Sequence, residues 1–220
     1  MRVQYTPTLL MLNEAGKVVL RINGYFAPHK FNEALEFMAE KREKAMGFRE
    51  YYAEVAPVAA NGQLNELKAS LPSPLRLKDD RTESYRALLV MLEQQTSREC
   101  DELHRDTLKR ALVAYELTNL DVATVDMWSQ EIVQTPDGRE MKTREWAKEL
   151  DVKHAPSLVF FDTEGKEVFL TEAYLKSFYM HGAIDYVVSG AYRSQPNFQR
   201  YLQHRMDALH ARGFEIDLMD

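Results

Sequence analysis

Cysteine is the scarcest informative residue in this 220-residue chain, because Cys100 is the only one. A single cysteine excludes a disulfide bond within the chain and any zinc site built from several cysteines. The six histidines show no metal-ligand spacing such as HExxH, and no glycine-rich phosphate-binding motif is present. We therefore expect neither a metal ion nor a cofactor.

Positive charge and long apolar runs are also scarce. The chain has 28 Lys and Arg against 34 Asp and Glu, a net charge of −6, so neither nucleic acid nor an anionic membrane is expected as the main partner. No apolar run is long enough to span a bilayer. No signal peptide is visible at Met1, which predicts either a cytoplasmic chain or a start that is not the natural one.

One pattern occurs twice in the chain, at a constant offset of 149 residues. In each copy a proline begins an apolar strand, and a turn containing glycine, a second β-rich run and a tyrosine follow. The positions are Pro7, Gly16 and Tyr25 in the first copy, and Pro156, Gly165 and Tyr174 in the second. Each copy predicts a β-hairpin, with a helix after it.

The second copy follows further strand and helix signals. The apolar run at residues 86–93 predicts a central strand covered on both faces, and Ser97 offers helix N-cap chemistry for a helix that continues through Tyr115. A strand at 122–127 and a short helix at 143–150 come before the hairpin. Because strands linked by a helix are parallel, this order predicts an α/β fold with a mixed four-stranded sheet flanked by helices.

Several short motifs within residues 86–205 carry a family resemblance. They are Glu93-Gln94, Cys100-Asp101-Glu102-Leu103-His104, Val125-Asp126-Met127-Trp128, Thr135-Pro136-Asp137-Gly138, residues 155–162, residues 165–168, Gly190-Ala191-Tyr192 and Phe198-Gln199-Arg200-Tyr201. This part of the chain, a little over half of it, resembles thioredoxin-fold proteins of the SoxW-like, thioredoxin-related group. The resemblance implies a thioredoxin-like fold, relatedness to thiol–disulfide oxidoreductases and a periplasmic location.

In that family the site is a Cys-x-x-Cys motif at the start of the helix after the first strand, and the matching residues here run from Ser97 to Cys100. The first cysteine attacks as a thiolate, which the helix N-terminus stabilises. A serine hydroxyl cannot take part in disulfide exchange, so this site cannot cycle between dithiol and disulfide. We expect Cys100 to be a small buried hydrophobe, although a pair with His104 is conceivable because the two are one helical turn apart.

Three further residues are predicted to bind substrate beside this site. Pro156 matches the proline that the family keeps in the cis form, and the residue before it, here Ala155, presents its backbone to an extended peptide. Trp128 follows a strand end and is expected to line the same cleft. The competing interpretations are that Pro156 only shapes the start of its strand and that Trp128 packs in the core.

The patterns divide the chain into three parts. Residues 1–46 are predicted as a partial thioredoxin-like unit, 47–80 as a connector with one helix near 63–70, and 81–213 as a complete thioredoxin-like domain with a C-terminal helix. A hairpin and one helix cannot close a core alone. The partial unit therefore packs on the complete domain, is exchanged between two chains in a homodimer, or belongs to a longer natural protein.

Three functions remain open at this point. The first is a redox-inactive or impaired module that binds a protein or peptide. The second is a thiol–disulfide oxidoreductase that uses Cys100 as a lone thiol or together with a cysteine of a partner. The third is a structural role in dimerisation alone.

Overall fold

The computed structural model describes residues 7–24, 26, 28–55, 60–68, 70–172 and 174–215. Its contacts divide the chain into two units, Met1–Asn61 and Gly62–Asp220. Tyr25, which belongs to the repeated pattern, lies outside the described residues. Within them, no helix has the length and apolar character needed to span a bilayer.

The first unit consists of a hairpin followed by helices. Strand β1 (Thr8–Leu12) pairs antiparallel with β2 (Val18–Asn23), and helices α1 (Pro28–Ala39) and α2 (Phe48–Val55) follow. The predicted first hairpin is thus confirmed. Helix α2 lies inside the stretch predicted as a connector, where the sequence pattern did not reveal it.

Aromatic packing explains why α2 forms. The ring of Phe37 on α1 lies 5.4 Å from Phe48 and 5.3 Å from Tyr51, measured between centroids. Phe48 also stacks on Tyr52 at 5.8 Å. Aromatic residues have modest intrinsic helix propensity, so tertiary contacts with α1 favour this short helix more than its local sequence does.

The second unit contains the sheet and the remaining helices. Its strands are β3 (Ala87–Glu93), β4 (Leu120–Asp126), β5 (Ile132–Gln134), β6 (Glu140–Lys142), β7 (Ser157–Phe161) and β8 (Glu167–Thr171), and its helices are α3 (Arg98–Glu102), α4 (Ala111–Leu117), α5 (Thr143–Glu149), α6 (Ser177–Val188) and α7 (Phe198–Ala211). The main sheet has the order β4-β3-β7-β8. Strands β3 and β4 are parallel, whereas β3–β7 and β7–β8 are antiparallel. The predicted mixed four-stranded sheet is therefore confirmed.

Every residue of β3 is buried, as expected for a central strand. Alternate side chains enter different apolar clusters. Leu89 and Met91 join one cluster with residues of α6, and Leu88 and Val90 join the other with Trp146 of α5. Helices therefore cover both faces of the sheet, and the strand ends at Glu93, where the polar part of the site begins.

The segment before the sheet differs from the prediction. No helix forms among residues 62–68 and 70; instead, Ser70 makes a parallel bridge with Val122, and the Leu71 amide donates to the Val122 carbonyl at 2.7 Å. This segment lies along the outer edge of β4. The Leu71 amide is used there, whereas the Ser70 amide donates to the Leu67 carbonyl at 2.9 Å and closes a single turn.

The helix predicted from Ser97 to Tyr115 is also interrupted. After α3, residues Leu103–Thr107 form a π-helical turn, in which the Leu108 amide donates to the Leu103 carbonyl at 2.9 Å. The Thr107 hydroxyl donates to the carbonyl of Leu175, 2.9 Å away. Because Leu175 is distant in sequence, the periodicity of the helix could not reveal this break.

The two hairpins turn in the same way. The Asn13 side chain accepts from the amides of Ala15 and Lys17 at 3.1 and 3.0 Å, and Gly16 has φ +74°. The corresponding Asp162 accepts from the amides of Glu164 and Lys166 at 3.0 and 2.9 Å, and Gly165 has φ +82°. Each turn thus combines an Asx side chain with a glycine in the left-handed region, which other residues rarely adopt.

Candidate functional site

Ser97 lies between the end of β3 and the start of α3. It is the N-cap residue of α3, and its side-chain oxygen accepts from the Cys100 amide at 3.3 Å. Serine suits this position because its hydroxyl satisfies one of the amides that a helix leaves unpaired at its start. Ser97 is only 2% exposed, so it has a structural role whatever else it does.

The Ser97 hydroxyl also faces the residue before Pro156. Its oxygen lies 3.4 Å from the Ala155 carbonyl and 3.0 Å from Oε2 of Glu99. A hydroxyl has one proton, so it donates to one of these acceptors at a time. The Ala155–Pro156 peptide bond is cis. The structure therefore brings together four of the predicted site residues, Ser97, Cys100, Ala155 and Pro156.

Cys100 is fully buried, and its environment disfavours the thiolate. Burial, followed by the acidic side chain of Glu93, raises the pKa of Cys100 to about 12, although the Ser97 side chain acts in the opposite direction. A group with this pKa is a neutral thiol at physiological pH. Nucleophilic cysteines are partly exposed and have lowered pKa values, and Cys100 has neither property.

Glu93 and His104 form a buried pair that the sequence reasoning missed. His104 Nε2 lies 2.6 Å from Glu93 Oε1, and the two residues are 8% and 0% exposed. Burial raises the pKa of Glu93, while its contact with His104 opposes the rise. His104 is thus paired with Glu93, whereas the sequence suggested a pair with Cys100. A glutamate ending an otherwise apolar central strand was the signal that could have revealed the pair.

Trp128 lies just beyond the end of β4 and is 59% exposed. Its indole Nε1 donates to the Gln94 side chain at 2.8 Å, and its amide donates to Asp126 Oδ1 at 2.9 Å. Trp128 is therefore not packed in the core, and two hydrogen bonds fix its orientation. Gln94 belongs to the loop that leads to Ser97, so the indole is attached to the same loop as the predicted site.

The described part of the chain contains no group of three or more His, Cys, Asp or Glu side chains that could hold a metal ion.

Comparisons with known proteins agree with this fold. A thioredoxin-fold protein from Helicobacter pylori has a TM-score of 0.50 at 16% identity, covering 56% of this chain and 86% of that one. Fasciola hepatica thioredoxin (TM-score 0.36, 18% identity, 51% and 97% coverage) and the oxidoreductase DsbH (TM-score 0.33, 16% identity, 50% and 80% coverage) are also similar. No curated protein sequence matches.

The thioredoxin-like domain family matches residues 76–187, which include β3 to β8 and most of α6. This match covers half of the chain and contains Ser97, Cys100, Trp128, Ala155 and Pro156. The predicted thioredoxin-like α/β fold is confirmed, and the chain belongs to the thioredoxin-like domain family.

Proposed function

We propose that this protein is a thioredoxin-related module without dithiol–disulfide activity, which binds an extended peptide at a face formed by Ser97, Trp128, Ala155 and Pro156. We name these four residues the peptide face. The observation that carries the proposal is the full burial of Cys100, which raises its pKa to about 12, in a chain that has a serine at the position matching the nucleophile. The proposal includes assignment to the SoxW-like group and of residues 1–46 to a partial copy of the fold.

The chemistry of disulfide exchange argues for inactivity. Exchange requires a thiolate that can reach the disulfide of the substrate. Ser97 cannot supply one, and the pKa of Cys100 is raised to about 12 in a fully buried position. The alternative, an oxidoreductase that uses Cys100 as a lone thiol or with a partner's cysteine, needs both exposure and ionisation of this thiol.

The geometry supports peptide binding independently of the cysteines. Ala155 precedes β7 and its carbonyl contacts Ser97, so its backbone lies beside the start of α3. Backbone groups in this setting can hydrogen-bond an extended peptide as an additional strand. The exposed indole of Trp128 offers apolar area, and because Gln94 already orients it, binding costs little side-chain entropy.

Insulin reduction by dithiothreitol tests the redox half of the proposal. We expect the wild-type protein to leave the uncatalysed rate unchanged. Ser97→Cys restores the Cys-x-x-Cys pair and is expected to accelerate reduction, whereas Ser97→Cys combined with Cys100→Ser serves as the matched control without a pair. Turnover by the wild type comparable to that of Ser97→Cys would overturn the proposal.

Binding to a permanently unfolded probe, reduced and carboxymethylated α-lactalbumin, tests the second half. Trp128→Ala is expected to weaken binding about tenfold or more, the effect of losing a central aromatic anchor. Tyr115→Ala is the control, because Tyr115 is 68% exposed on α4 and lies outside the peptide face. Equal losses for the two variants, or no binding by the wild type, would contradict a peptide-binding role for this face.

Exchange of residues 1–46 between two chains remains a prediction. It requires a homodimer, so light scattering tests it directly. A monomer at micromolar concentration would count against both exchange and a purely dimerising role.

A further inference from the structure

The Glu93–His104 pair lies beside Cys100 and is not used by the proposed function. Both side chains are buried, their closest polar atoms are 2.6 Å apart, and the second oxygen of Glu93, Oε2, has no hydrogen-bond partner among the described residues. A buried polar atom without a partner is uncommon in native proteins and calls for a physical explanation.

A protonated Glu93 would account for the unpartnered oxygen. A buried carboxylate needs partners for both of its charged oxygens, whereas a carboxylic acid needs mainly one acceptor for its hydroxyl. The geometry fits an acid that donates from Oε1 to Nε2 of His104 and leaves Oε2 as a neutral carbonyl. Burial raises the pKa of Glu93, which agrees with the acid form.

Other polar groups around the pair act on it in both directions. The Asn65 side chain lowers the pKa of Glu93 through a hydrogen bond to its carboxyl group, and the Asp101 carboxylate on α3 raises this pKa. The thiol of Cys100 also faces Glu93 from α3. Apart from His104, the neighbours that act on Glu93 are therefore acidic or neutral. Because Asp101 already carries a negative charge, a negative charge on Glu93 would be poorly compensated.

Short covalent and hydrogen-bonded links connect the pair to the peptide face. The Glu93 carbonyl accepts from the Met127 amide at 2.9 Å, immediately before Trp128. The next residue, Gln94, accepts from the Trp128 indole through its side chain and from the Ser97 amide, at 3.1 Å, through its carbonyl. A displacement of the end of β3 would thus move both Trp128 and Ser97.

We propose that Glu93 and His104 are positioning residues of the peptide face, and that loss of the proton they share loosens the bonds that hold Trp128 and Ser97. The identity of the ligand rests on the proposed function, but the orientation of Trp128 does not, because it can be observed without ligand.

The sign of the pH dependence follows from the raised pKa of Glu93. Between its ordinary value and its raised value in the folded state, the folded chain binds more protons than the unfolded chain. The free energy of unfolding therefore falls as the pH rises through this interval. We expect the peptide face to be ordered on the acid side of the transition and looser on the alkaline side.

Tryptophan fluorescence of the ligand-free protein tests the proposal. The chain has two tryptophans, and Trp146 is 2% exposed, so subtraction of the Trp128→Phe spectrum isolates Trp128. Iodide quenching of Trp128 is expected to increase with pH in a single transition. Glu93→Gln keeps the shape of the side chain without the charge, and it is expected to remove the transition while retaining the acid-side spectrum.

Two more variants keep the test decisive. His104→Gln should shift the pH midpoint of the Trp128 transition because the imidazole acceptor is gone. This variant replaces Glu93→Gln if circular dichroism shows that Glu93→Gln does not fold. Glu102→Gln, at the end of α3 and two residues before His104, is the control and should leave the transition unchanged. A wild type without a transition, or a transition that survives Glu93→Gln with an unchanged midpoint, would overturn the proposal.

Binding of carboxymethylated α-lactalbumin separates this proposal from the proposed function. If both are right, affinity falls about tenfold across the Trp128 transition, the effect expected for one lost hydrogen bond of ordinary strength. A Trp128 transition without any binding would reject the proposed function and support the positioning role. If neither the binding affinity nor the iodide quenching of Trp128 changes with pH, the positioning role is rejected and the proposed function is not.

Discussion

The hairpins β1–β2 and β7–β8 share a turn and differ in what surrounds them. In both, an Asx side chain accepts two backbone amides and a glycine adopts the left-handed region. Yet Leu158 on β7 is 0% exposed, whereas Leu9, its counterpart on β1, is 39% exposed. Strand β7 has β3 as a second neighbour. Local sequence thus explains the turn, and the neighbouring strand explains the burial.

The largest expected contrast concerns these two leucines. Leu158→Ala should lower the free energy of unfolding by about 3 kcal/mol because it leaves a cavity in the core, and Leu9→Ala by less than about 1 kcal/mol because its site is already partly solvated. Urea unfolding followed by tryptophan fluorescence measures the first change, and hydrogen exchange of the β2 amides measures the second. Equal losses would mean that β1 is buried as deeply as β7.

The two turn glycines should differ by a smaller amount. A Cβ added at Gly165 would lie 2.7 Å from the Pro136 carbonyl oxygen, whereas one added at Gly16 would meet nothing within 4 Å. Gly16→Ala should therefore cost about 1 kcal/mol from the left-handed backbone alone, and Gly165→Ala about 2–3 kcal/mol once the steric conflict is included. Thermal unfolding of both variants checks the order, and a larger loss at Gly16 would contradict it.

The smallest contrast concerns the Asx side chains. Asp162 is 9% exposed, so Asp162→Ala leaves two amides without partners in a poorly hydrated turn and should cost about 2 kcal/mol. Water can replace the side chain of Asn13 in its more open turn, so Asn13→Ala should cost about 1 kcal/mol or less. Urea unfolding measures the loss of stability in Asp162→Ala, and hydrogen exchange of the β2 amides measures the loss in Asn13→Ala. Similar costs would indicate that the two turns are equally hydrated.

Much of the sheet could be predicted from the sequence because its signals are local. The apolar run ending at Glu93 and the turn at Asp162 and Gly165 are read directly from short windows, and both β3 and the second hairpin form where expected. Helix α2 and the π-helical turn after α3 could not be predicted, because each depends on contacts with distant residues such as Phe37 and Leu175.

The site was predictable to a similar extent. Proximity of Ser97 to Ala155 follows from the family resemblance, and the structure places them together. The position of Glu93 at the end of an apolar strand was a signal, but the sequence alone does not reveal that this last residue is fully buried against His104. The exposure of Trp128 likewise depends on how the loop after β4 leaves the sheet.

The burial of Cys100 gives this chain a reporter of local opening. It is the only thiol in the sequence and is fully buried, so a thiol reagent in solution can modify it only when α3 and its surroundings open. The rate of modification, compared with that of the unfolded chain, then gives the free energy of that opening. The rate of modification of Cys100 can in this way report the opening motions of the helix that carries it.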